Sequence, residues 1–180
     1  MYGHCPFANI LVISYVTRHT SFVSSHCVAS GELDIIYTFY VSSYCHCCQV
    51  VESVAREFGL LFSVYRDSPP PSTRYTLELF HSAVLVVGPH GAGLSNIVFS
   101  QPDTIVVEIT CPAPSTALCF QALAYVLGQR WHGLASRGPK SFRFNKCKWV
   151  DNVSVPSNHL NTTLRKLLRN WNKTSTVLIK

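Results

Sequence analysis

Charge is what this sequence has least of. Only 13% of its 180 residues are Asp, Glu, Lys or Arg, against about 25% in an average soluble protein. A chain so poor in charge and 47% apolar is neither intrinsically disordered nor a coiled coil. Long apolar runs are missing as well. The candidate stretches Met1–Thr17 and Ile35–Val51 are broken up by His, Ser, Asn, Gln and Pro, whereas a membrane span needs roughly 20 apolar residues. Met1–Thr17 also lacks the basic start of a secretory leader: its apolar piece Ile10–Val16 follows a polar opening containing Cys and His. No signal or membrane anchor is visible. The length is that of one domain, enough to bury about 70% of its unfolded surface around a core.

The charge that is present is unevenly placed. The first 130 residues hold five basic and eight acidic side chains, and the last 50 hold ten and one. The basic residues of the tail are scattered from Arg137 to Lys180 without a run of five or six, so the pattern is not that of a nucleic-acid-binding stripe. Eight cysteines accompany three N-x-S/T sequons, at Asn152, Asn161 and Asn172. Sequons are acceptors only in the secretory pathway, and together with the cysteines they favour a lumenal or extracellular site. Cys45-His46-Cys47-Cys48 contains a C-x-x-C spacing, half of a zinc site. No second pair with matching spacing follows, so no metal is assigned.

Two segments differ in character. Residues 1–48 form an atypical Cys- and Ser-rich segment with one Arg, no Lys and five of the eight cysteines; Ile10–Val16 and Asp34–Val41 read as strands there. Residues 49–180 are regular. Gln49–Phe58 places Val51, Val54, Ala55 and Phe58 on one helical face, with Gly59 as its stop. Leu60–Tyr65 reads as a strand, and Arg66–Ser72 as a loop stiffened by three prolines. Thr73–His81 is expected to be a helix with Leu77 and Phe80 inward. Ala83–Val87 is a buried strand, Pro89–Gly93 a turn and Leu94–Phe99 the start of a helix. Thr104–Ile109 is another buried strand, Ser115–Leu127 a helix with Leu118, Ala122 and Tyr125 at helical spacing, and Gln129–Leu134 a short strand. Ser157–Trp171 is an amphipathic helix using Leu160, Leu164, Leu167 and Leu168. Alternating strands and helices predict an α/β fold, Rossmann-like, with a doubly wound and mostly parallel sheet.

The chemistry is concentrated in Val84–Asn96, VLVVGPHGAGLSN. An apolar strand ends at Gly88, and a glycine-rich turn leads into a helix. Amides of the first helical residues point outward there without partners, which makes an anion site. Gly91 and Gly93 let a phosphate approach the backbone, and His90 can donate a hydrogen bond to it or act as a base. Glu108 closes the next strand, where a carboxylate can accept two ribose hydroxyls. Together these read as a nucleotide pocket. Gly91-x-Gly93-x-x-Asn96 lacks the third glycine of the dinucleotide fingerprint, which weakens an NAD-dependent oxidoreductase. A Walker-type loop and a G-x-S-x-G elbow are absent.

Ala83–Ile109, AVLVVGPHGAGLSNIVFSQPDTIVVEI, resembles the signature of the glycosyltransferase family 61 catalytic domain. The features shared are an apolar strand, a G-x-H-G-A-x-L turn, a helix ending in Phe, a Pro-containing loop and a strand ending in Glu. Here they are Gly88, His90, Gly91, Ala92, Leu94, Phe99, Pro102 and Glu108. The upstream Thr76–Ala83 and downstream Leu118–Leu134 are similar to the family too. That family includes plant xylosyl- and arabinosyltransferases and animal O-linked N-acetylglucosaminyltransferases. The resemblance implies the C-terminal donor lobe of a GT-B fold, binding a UDP-sugar and inverting at the anomeric carbon. The substrate-binding residues would be Gly88, Gly91, Ala92, Gly93, Leu94, Ser95 and Glu108, and the catalytic residue His90, with Arg66 or Arg74 adding positive charge. No cofactor beyond the UDP-sugar donor is implied, and the acceptor would be a glycan or glycoprotein. A two-lobed transferase is roughly twice as long, so a fragment or truncated form is expected. The rival reading is a non-catalytic descendant that binds nucleotide or glycan without transfer.

Overall fold

A computed structural model of the chain describes residues 4–6, 10–14, 46–66, 69, 71–110, 118–135 and 154–175. Strand β1 (His4–Pro6) pairs antiparallel with β7 (Ser154–Pro156). The main sheet contains β2 (Ile10–Ser14), β3 (Leu61–Tyr65), β4 (Ala83–Pro89), β5 (Ile105–Thr110) and β6 (Arg130–Ala135) in the order β3-β2-β4-β5-β6. The described residues also form four α-helices, α1 (His46–Glu57), α2 (Thr73–His81), α3 (Cys119–Val126) and α4 (Ser157–Ser175), and a 3-10 helix (Ala92–Phe99). The expected strand Asp34–Val41 lies outside the described residues.

The fold is mixed α/β, and its sheet departs from the expected mostly parallel one. β4-β5 and β5-β6 are parallel, but β2 runs antiparallel to both its neighbours, β3 and β4. The physical reason is the origin of β2: it comes from the N-terminal segment rather than from a strand–helix–strand crossover, and only such crossovers enforce parallel pairing. The residues on either side of position 48/49 therefore share one sheet, with Ile10–Ser14 between Leu61–Tyr65 and Ala83–Pro89.

Helices cover both faces. On one, α1 and α4 bury Val51, Val54, Ala55, Leu160, Leu164 and Leu168 against Ile13, Leu85, Val107 and Leu134. Arg165 of α4 pairs with Glu57 of α1 across that layer. On the other, Phe80, Leu94, Ile97, Phe120 and Ala124 pack on Val12, Val86 and Val106. Helix α1 stops at Gly59 and α3 at Gly128, both at positive φ (67° and 69°). The following amides reach back, Leu60 N–H to the Ala55 carbonyl at 2.9 Å and Gln129 N–H to Ala124 at 2.8 Å, which satisfies carbonyls the helix ends leave open. Ser72 caps α2 by accepting the Tyr75 amide at 3.2 Å.

Two expected faces turn out differently. Phe80 is inward, but Leu77 is exposed. In α3 the stripe Leu118, Ala122 and Tyr125 faces solvent, and Phe120, Leu123, Ala124 and Leu127 face the sheet. This helix carries apolar residues on several sides, so its periodicity permits either face; Phe120 takes the core, and Tyr125, with its polar hydroxyl, takes the solvent side. The segment Leu94–Phe99 is part of a 3-10 helix that begins earlier, at Ala92.

Two outcomes follow from this packing. Ile13 is fully buried on β2, between β3 and β4; Ile13→Ala is expected to cost about 2–5 kcal/mol, measured by urea unfolding, and a chain beginning at residue 49 to lose cooperative unfolding altogether. His132 on β6 is held below its ordinary pKa of 6.5, first by burial and then by the positive charges of Lys166 and His159. Its unfolded form binds a proton more readily, so this contribution to stability is complete above about pH 6.5 and is lost as pH falls from there towards the folded value. Thermal unfolding at pH 7.5 and pH 5 should show a smaller loss in His132→Gln than in the native chain.

Candidate functional site

The turn after β4 sits at the C-terminal edge of the three parallel strands. Gly88 lies in register with Glu108 of β5, and Glu108 in turn with Gly133 of β6. The His90 amide donates to the Ile109 carbonyl at 3.0 Å, which extends the ladder by one step and fixes where the imidazole projects. From there His90 Nδ1 meets Glu108 Oε1 in a short contact. The second carboxylate oxygen, Oε2, accepts the indole N–H of Trp131 at 2.7 Å. Phe120 packs its ring edge-on to the imidazole, 5.2 Å between centroids.

Glu108 is 1% exposed and His90 13%. Both carboxylate oxygens are thus engaged within the protein, and Glu108 presents no surface to a ribose in this structure. What it does offer is orientation, because a buried carboxylate beside a histidine determines which way the ring faces. Sequence reasoning found His90 and Glu108 but missed Trp131, whose relation to Glu108 exists only through the β5–β6 register. Trp131-x-Gly133 held a signal: a Cβ on Gly133 would come within 2.6 Å of the Trp131 ring, so the glycine makes room for the indole.

The glycine turn is open. A Cβ built on Gly91 meets nothing within 4 Å. The first helical bond runs from the Leu94 amide to the Gly91 carbonyl at 3.0 Å, so the amides of Ala92 and Gly93 precede it and have no acceptor within the helix. Gly91 supplies no side-chain cap. Leu94 takes a different part from the one expected. Its amide is bonded within the turn and its side chain is fully buried, so it anchors the helix. Ser95 and Ala92 are exposed beside it, and Gly93 is half-buried. Asn96, where a dinucleotide fingerprint has glycine, donates its side-chain amide to the Gly93 carbonyl at 3.0 Å and stiffens the turn.

The remaining candidates lie apart. Arg74 pairs with Glu78 on its own helix at 2.8 Å, and Arg66 is exposed at the end of β3. Asn161 is half-buried in α4, where its carbonyl oxygen accepts from Arg165 at 2.7 Å. Asn172 lies in α4, and Asn152 lies outside the described residues. Cys47 and Cys48 are buried at the start of α1, and the Cys47 thiol faces the Val155 carbonyl. Among the described residues there is no group of three metal-binding side chains, and no helix is long and apolar enough to cross a membrane.

A strand, an open glycine turn and a histidine backed by a buried acid thus meet at one edge of the parallel strands. The family model for glycosyltransferase 61 matches residues 46–107, a span that contains the whole turn and stops one residue short of Glu108. This match supports assigning the chain to that family. No curated protein and no solved structure matches the chain.

The dependence of Glu108 on its neighbours can be checked directly. Gly133→Ala must displace the Trp131 indole and is expected to cost about 1–3 kcal/mol, with a shifted tryptophan emission maximum, in urea unfolding followed by fluorescence.

Proposed function

We propose that this chain binds a UDP-sugar at the Gly88–Ser95 turn and serves in glycosyl transfer with inversion, to a glycan or glycoprotein acceptor in the secretory pathway. The observation that carries the reading is the turn at Gly91, where a Cβ would meet nothing within 4 Å and the amides of Ala92 and Gly93 have no acceptor within the helix. A diphosphate fits such an end: its charge meets oriented N–H groups, and the same groups stabilise the charge that develops on UDP as it leaves. The family match within this segment supports the chemistry, and the three sequons and eight cysteines support the compartment. Glycan addition at Asn161 would precede folding, since the asparagine is bonded within α4.

One feature sets this reading above an NAD-dependent oxidoreductase: Asn96 fills the third glycine position with a side chain that bonds the turn. A descendant that binds without transferring would keep the same turn, and assays of transfer from a panel of UDP-sugars separate the two.

Calorimetric titration of the full chain with UDP, and separately with NAD, tests the site. Saturable UDP binding without NAD binding is expected. His90→Ala should weaken it by about 1.5–3 kcal/mol, the worth of a hydrogen bond to a charged group, or roughly 10- to 150-fold. Gly91→Ala should abolish binding while leaving the melting temperature unchanged, because the added methyl occupies only the open space. Undiminished affinity in Gly91→Ala would place the nucleotide elsewhere.

A further inference from the structure

We propose that Cys5 and Cys47 are the two halves of a disulfide that ties strand β1 to helix α1. Two independent placements converge on one residue of β7, Val155. The first is the register of the short sheet, in which Cys5 lies opposite Val155, flanked by the pairs His4–Pro156 and Pro6–Ser154. Proline has no N–H, so neither flanking pair can exchange two hydrogen bonds, and the pair that does so is Cys5–Val155. The Val155 carbonyl therefore points at the backbone of Cys5. The second placement is the Cys47 thiol, 3.9 Å from that same carbonyl oxygen. Val155 and Cys47 are both fully buried, in one cluster with Cys48 and Val51, and β1 packs directly against α1. Residues directly opposite each other in an antiparallel pair share a face, so Cys5 sits on the face of β1 that corresponds to this cluster. Cys119 is exposed on α3, on the other side of the main sheet.

The bond forms by exchange with a small disulfide such as oxidised glutathione. One cysteine thiolate attacks it, giving a mixed disulfide and releasing one small thiolate. The second cysteine thiolate then attacks the protein sulfur of the mixed disulfide and releases the other. Two protein thiols are oxidised, the small disulfide is reduced to two thiols, and one proton goes to each. An oxidising compartment, which the sequons and the cysteine count favour, supplies that partner. Cys47 has no exposed surface in the folded protein, so exchange precedes the closing of α1 on β7. The consequence concerns the N-terminal segment. Two strands of three residues hold little by themselves. A bond from residue 5 to residue 47 closes a loop that contains β2 and removes conformational freedom from the unfolded chain.

The test is peptide mapping of the full chain, oxidised with a glutathione redox couple, alkylated and cleaved with trypsin. Met1–Arg18 carries Cys5 alone, and His19–Arg56 carries Cys27, Cys45, Cys47 and Cys48. The two peptides should be recovered joined, with fragmentation locating the bond at Cys47. Met1–Arg18 recovered with an alkylated Cys5, or joined through any other cysteine, would overturn the proposal in the native chain without any variant. Cys48→Ala should leave the joined pair in place and Cys47→Ala should release alkylated Met1–Arg18; the reverse result would move the bond off Cys47. Thermal unfolding supplies a second readout. Dithiothreitol should lower the melting temperature of the native chain by more than that of Cys5→Ala, and equal shifts in the two would remove the bond from the folded protein. None of these readouts involves UDP, so their outcome is independent of the donor-site reading.

Discussion

A carboxylate buried to 1% exposure is a costly group, and it is tolerated only where its oxygens are bonded. In this molecule that condition is met by one imidazole and one indole, brought in from opposite neighbours of β5. Much of the local architecture follows from it. The flanking positions in both adjacent strands are glycine, so that the side chains of Glu108, His90 and Trp131 have room on one face of the sheet. The register is fixed with them, because a slip of one residue would turn Glu108 into the opposite layer, among Ile105, Val107 and Ile109. A bond from the His90 amide to Ile109 holds the start of the turn in the same frame, and the open glycine end is presented from that frame.

Much of this was legible in the sequence because it is local. Thr73–His81 is bounded by a capping serine and closes where the expected helix does. The apolar run from Ala83 and the one from Ile105 form adjacent buried strands, and Gly59 ends α1 in the left-handed conformation that glycine allows. His90 and Glu108 stood out from the motif that holds them. The rest depends on partners distant along the chain. The hydrogen bond from Trp131 spans 23 residues and leaves no periodic trace. Helix α3 carries apolar residues on several sides, so its spacing alone does not distinguish Phe120 from Tyr125. Leu77 likewise satisfies helical spacing and ends up outside.

The basic C-terminal region shows how composition and structure can point in different directions. Helix α4 lies within the basic last 50 residues, yet its place in the fold is set by Leu160, Leu164 and Leu168, which pack on α1 and the sheet. Its charges are drawn into local bonds: Arg165 reaches both Glu57 and Asn161, and Lys166 lies near enough to His132 to oppose its protonation. The surplus charge is thus partly structural on this helix.

Strand β2 has a kinetic meaning as well as an architectural one. β3 and β4 follow each other along the chain with only α2 between them, yet in the finished sheet they never touch, since β2 lies between them and pairs with both. Until that N-terminal strand arrives, each presents an open edge to the other and to neighbouring molecules. Direct β3–β4 pairing is then a ready-made trap, and unpaired edges are the usual route to aggregation. Ribosomal synthesis works against the trap, because Ile10–Ser14 leaves the ribosome first and is waiting when the strands it must separate emerge.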